Sequence, residues 1–67
     1  MRLDVFNDRL EAYMMRAEKL YPGQVTFNRT QLAKISGRSR QTFYNNPWKY
    51  PISGKISLKE FVRMELR

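Results

Sequence analysis

Apolar side chains at Leu3, Phe6, Leu10, Tyr13, Ala17 and Leu20 recur at intervals of three and four, with Arg, Asp and Glu between them. This is the period of one helical face, and it predicts a helix from about Leu3 to Leu20 that Pro22-Gly23 ends. Met14 and Met15 widen the stripe. It can cover the core of its own domain or pair with a second copy as a coiled coil, and core packing is preferred because the stripe is short for a zipper and the remainder of the chain needs cover. After it, Val25-Thr26-Phe27 reads as one short strand.

The next stretch, Asn28 to Tyr44, predicts two short helices either side of Gly37. Asn28 is placed as N-cap with Gln31 closing a capping box, and Leu32, Ala33 and Ile35 as the inward face. The small Ala33 lets a second helix cross closely, and Gly37 can take the positive φ that a tight turn requires. Ser39 reads as the second N-cap, Phe43 as the inward anchor, and Arg40, Gln41, Tyr44 and Asn45 as the outward side. That is the spacing of a helix-turn-helix. Arg38 departs from the pattern, since a small apolar residue usually follows the glycine; its guanidinium is expected in solvent, or the turn differs.

Asn45-Asn46-Pro47 stops the second helix, and Trp48, the only tryptophan, is assigned to the core. Tyr50-Pro51-Ile52-Ser53-Gly54-Lys55-Ile56-Ser57 reads as a hairpin with a Ser53-Gly54-Lys55 loop, Ile52 opposite Ile56 and Lys55 at the tip. Ser57 and Glu60 make a second capping box for a closing helix whose apolar face is Leu58, Phe61, Val62 and Leu66.

Composition narrows what such a chain can do. At 67 residues it is one domain, with residues 1–22 forming the amphipathic helix and 25–67 the part that holds the helix-turn-helix, and no Cys or His is present for disulfides, zinc or imidazole chemistry. No apolar run is long enough for a membrane span, and an intracellular protein without cofactor is expected. The net charge of +7 is unevenly placed: residues 1–22 are balanced, the whole excess falls in residues 23–67, and no carboxylate occurs between Lys19 and Lys59. An acid-free stretch that coincides with the helix-turn-helix points to a polyanion. Six scattered acids and no glycine-rich phosphate loop leave no catalytic set, so the protein is read as no enzyme.

Helix, turn, helix, small hairpin, helix is the order of a winged helix-turn-helix. The fold class expected is therefore mainly α with a small β-hairpin and an extra N-terminal helix. Through Gln31 to Tyr44, the hairpin after it, and Ile56-Ser-Leu-Lys-Glu-Phe-Val62, the chain resembles the small excisionase and MerR-like DNA-binding domains. The resemblance covers about residues 25–66. It implies a regulator or recombination directionality factor of a phage or mobile element, with residues 39–45 in the major groove and Lys55 near the backbone or minor groove. The partners so implied are double-stranded DNA, further copies of the chain on adjacent sites, and a recombinase, in the cytoplasm of a bacterial or phage-infected cell. On side-chain chemistry alone, Arg40 and Gln41 suit base edges, whereas Arg29, Lys34, Arg38, Ser39, Tyr44, Asn45, Lys49 and Lys55 complete the candidate DNA-binding set, most of them as phosphate contacts. Two other classes stand beside this one. The first helix and the aromatics could bind a protein, or Phe27, Tyr44, Trp48 and Tyr50 beside lysines could stack on single-stranded nucleic acid or RNA.

Overall fold

The apolar stripe of the first segment forms one uninterrupted helix, α1 (Leu3–Leu20), in a computed structural model that describes residues 3–66. Three shorter helices follow: α2 (Arg29–Ser36), α3 (Arg40–Asn45) and α4 (Leu58–Glu65). Eighteen residues at the helical rise make α1 about 27 Å long, which matches the longest dimension of the molecule, 27 Å. α1 lies across α2 and α4 with Phe6, Tyr13 and Ala17 buried and Leu10 partly so, while the ends of the stripe, Leu3 and Leu20, and both Met14 and Met15 remain exposed. The stripe is thus occupied within its own domain. No helix among the described residues is long and apolar enough to cross a membrane.

The core is built around Phe61 of α4, which is fully buried. Its ring lies 5.8 Å from Tyr13 of α1, 5.7 Å from Phe43 of α3 and 5.9 Å from Tyr50 of the following loop. Tilted and edge-on pairs at these distances add to area burial because ring edges meet ring faces. Leu32 and Ile35 of α2 and Val62 of α4 fill the remainder.

Capping follows the residue types, with two partial departures. Asn28 accepts from the Gln31 amide and the Gln31 side chain accepts from the Asn28 amide, so the first capping box is complete. Ser57 accepts from the Glu60 amide at 3.4 Å, one half of the second box. Ser39 has the extended backbone of an N-cap, but its hydroxyl lies 3.3 Å from that of Thr42 instead of bonding a backbone amide.

The expected hairpin wing does not form. Among the described residues there is no strand or sheet, and a single antiparallel bridge joins Phe27 to Ile56. The backbone groups that a ladder would need are already engaged. Pro51 has no N–H to donate, the Ile52 N–H donates to the Tyr50 carbonyl at 2.8 Å, and the Ile52 carbonyl accepts from the Arg29 guanidinium at 2.9 Å. Ile56 exchanges both its backbone bonds with Phe27, at 2.9 and 3.0 Å. Residues 50–57 are therefore a loop clipped to the start of α2, Ile52 turns into the core, and the strand expected at Val25-Thr26-Phe27 is reduced to the bridge at Phe27. The core assignment of Trp48 is also overturned: it is 74% exposed, and Tyr50, two residues on, fills the place beside Phe43 and Phe61.

Arg38 resolves differently from either expectation. The turn is of the expected kind, yet the guanidinium is not free in solvent: its Nε donates to Glu65 Oε2 at 2.7 Å. Glu65 has a fully buried side chain, accepts the Tyr13 hydroxyl on Oε1, and has Arg9 Nη1 at 3.6 Å from the same oxygen. One carboxylate thus ties the turn and α1 to the end of α4.

A charge with no exposure to water depends on its partners, so removing one of them is costly. Arg38→Ala should lower stability by about 3 kcal/mol in urea unfolding, and adding Glu65→Gln, which removes the charge but keeps an acceptor for Tyr13, should restore part of it. A loss as small as that of a surface ion pair would show that Glu65 does not rely on Arg38. Burial, followed by the Glu65 hydrogen bond and charge, pushes the Tyr13 hydroxyl up to about 12. With the folded-state value raised above the unfolded one, Tyr13 contributes stability that is complete below about pH 10 and is lost as pH rises through about 12. Thermal melts should therefore fall more steeply over that window for the parent than for Tyr13→Phe.

Candidate nucleic-acid interface

Gly37 makes the geometry of the central unit possible. It sits in the left-handed region at φ 74°, ψ 16°, its N–H donates to the Ala33 carbonyl, and the Arg38 N–H reaches the same carbonyl at 3.0 Å. Both bonds satisfy the end of α2 while the chain reverses direction, as a glycine C-cap allows. Arg16 of α1 donates to the Ile35 carbonyl at 2.7 Å, adding a cation to the same helix end. α3 then begins after Ser39, with Phe43 turned inward and Arg40, Gln41, Tyr44 and Asn45 exposed.

Three candidate residues come together at this surface. The Arg29 guanidinium lies over the Tyr44 ring, 5.4 Å from its centre. The guanidinium of Arg40, and after it that of Arg29, holds the Tyr44 hydroxyl below its ordinary pKa. Arg29 also carries the Ile52 carbonyl, so the start of α2, the exposed side of α3 and the loop at Ile52 are linked through one side chain. Beside it, Asn28, Arg29, Thr30, Ile52, Ser53 and Gly54 line an open cleft of about 400 Å³. Gln41 and Asn45, one turn apart, bond each other at 3.2 Å. Their amides are therefore prearranged as a pair on the outer side of α3.

The remaining candidates are more dispersed. Lys34 and Lys55 are exposed, and Lys55 stands on the loop after Gly54 with no wing to carry it. The Lys49 ammonium sits 5.8 Å from the centre of the Tyr50 ring. Ser39 is exposed at the start of α3. Arg38 keeps part of its side chain in solvent, but its Nε is committed to Glu65, which raises its pKa; its first task is structural.

Two features escaped the sequence reading. Glu65 continues the spacing of Leu58, Phe61 and Val62, so an acid on the apolar stripe of α4 was visible, as was an arginine in a turn position that favours a small residue. Each anomaly explains the other. The second feature is Trp48, for which the sequence carried no sign of exposure. Of the four aromatics considered for stacking on single strands, Phe27 and Tyr50 are buried and only Tyr44 and Trp48 face solvent, so the set does not form a continuous platform.

Burial of Glu65 also alters the charge pattern. It is one of only two carboxylates after Glu18, and it is withdrawn from the surface and neutralised by Arg38 and Arg9. Glu60 is left as the one exposed acid among the described residues from Lys19 onward. Among the described residues, no group of acids is arranged to hold a metal ion. No protein-family model, curated protein or solved structure matches this chain.

Proposed function

We propose that this protein binds double-stranded DNA in a sequence-selective manner, with α3 in the major groove. The observation that carries the proposal is the pair α2 and α3 joined through Gly37 in the left-handed region, with Arg40, Gln41, Tyr44 and Asn45 exposed on the second helix of a stretch that has no carboxylate of its own. Arg40 on the first turn of α3 offers paired donors of the kind that read guanine, and the amides of Gln41 and Asn45 match the paired groups of adenine. Arg29, Lys34, Lys49 and Lys55 supply charge for phosphates, which fixes position without reading sequence. Tyr44, braced by Arg29 and Arg40, adds a hydroxyl and a ring at the same surface. The resemblance to excisionase and MerR-like domains, kept through Gln31 to Tyr44 and the closing helix but without the hairpin, supports a regulatory or recombination role in the cytoplasm, with the protein doing no chemistry of its own.

If roughly four to seven cations meet phosphates, log affinity for duplex DNA should fall against log salt with a slope of about −4 to −6. An interaction indifferent to salt would contradict the proposal, and tighter binding of single strands at equal salt would favour a different nucleic acid. Fragments from the native locus supply the specific site for a second measurement. Arg40→Ala or Gln41→Ala should cost about 1 to 3 kcal/mol on that site and much less on random duplex, while Lys49→Ala should weaken both alike. Equal effects of all three on both DNAs would remove α3 from the reading role.

A further inference from the structure

Trp48 is the bulkiest side chain that the described fold leaves in solvent, at 74% exposed. Its position is not that of a frayed end. The Lys49 and Tyr50 amides both donate to the Asn46 carbonyl, at 3.1 and 3.0 Å, and the Asn46 side chain donates to the Thr42 carbonyl inside α3 at 2.8 Å. Tyr50 then anchors the far side in the core, 4.9 Å from Phe43. The turn that bears the indole is therefore pinned to α3 on one side and to the aromatic core on the other. A residue of this size contributes most to folding when buried, and here a rigid turn holds it out in water.

Its place in the chain indicates what it meets. Lys49 is adjacent, Arg40 and Tyr44 stand on the helix that the turn terminates, and no carboxylate occurs in the chain between Lys19 and Lys59. An exposed aromatic in a stretch that carries cations and no acid complements a polyanion that also offers apolar edges. We propose that Trp48 is a DNA-contacting residue, its ring lying against deoxyribose and base edges beside the end of α3, its indole N–H donating to a backbone oxygen, and Lys49 holding a neighbouring phosphate. The proposal rests on the duplex-binding function above and adds to the interface a residue outside the helix-turn-helix.

Because Trp48 is the only tryptophan, the intact protein carries its own probe. A labelled mixed-sequence duplex at low salt reports binding through its anisotropy, while selectively excited tryptophan emission reports Trp48. Emission should be quenched in step with anisotropy, and acrylamide should lose access to the ring in the complex. Trp48→Ala should weaken binding about tenfold with an unchanged melting temperature, and Trp48→Phe, which keeps a ring but loses the N–H, should fall between. Duplex binding with unchanged emission and unchanged Trp48→Ala affinity would overturn the role of Trp48 and leave the duplex function intact. Absence of any anisotropy change at low salt would overturn both. If Trp48→Ala lowers the melting temperature, the parent's emission and quenching decide the matter without the variant.

Discussion

The structure depends on a buried negative charge. Glu65, near the end of α4, reaches the Tyr13 hydroxyl and Arg9 of α1 and the guanidinium of Arg38 in the turn between α2 and α3. A carboxylate withdrawn from water adds little net stability, because desolvation offsets most of the attraction, but it penalises every arrangement that leaves it unpaired. In a domain of this size, where the apolar core is small, that penalty selects one docking of the turn against α1 and α4. The position of α3 follows from it, since Arg38 lies two residues before the helix begins.

The same charge shapes the surface. With Glu65 internal and paired with Arg38 and Arg9, the exposed acids lie mainly on α1, and the helix-turn-helix with its following loop carries its other cations without an acid of its own. For the duplex binding proposed above, a basic surface favours encounter with a polyanion, and discrimination among base pairs falls to the shorter-range groups of α3. Arg29 joins the two scales. It helps position the loop through the Ile52 carbonyl and braces Tyr44, so its loss would disturb the surface as well as remove a charge.

Much of the order of elements could be read along the chain because local rules determine it. The bounds of α1 followed from a stripe ended by Pro22-Gly23, α2 from a capping box whose two bonds both form, and the turn from a glycine that occupies the left-handed region. The inward residues Leu32, Ala33, Ile35, Phe43, Leu58, Phe61 and Val62 are buried as their spacing implied. These features depend on residues within one or two turns of each other. Helical periodicity and capping report on such distances.

What only the tertiary structure decided depends on partners far apart in sequence. The residue types of 50–57 favour a hairpin locally, but Arg29 captures the Ile52 carbonyl from 23 positions away and Phe27 takes both backbone groups of Ile56, so competition for hydrogen bonds leaves no ladder. Trp48 is the side chain that size alone assigns to the core, yet Tyr50 holds the space beside Phe43 and Phe61. Pinning of the turn at Asn46 left Tyr50 inside and Trp48 outside. Arg38, anomalous in its turn, and Glu65, anomalous on the apolar stripe of α4, became a matched pair only when the fold brought together positions 27 apart. The sequence by itself determined which segments are helical, where they turn and where the charge excess lies, since those are properties of neighbours; the choice among competing partners for a carbonyl, a cavity or a buried charge was made by packing, because each such partner is satisfied once and the chain cannot show locally which claimant arrives.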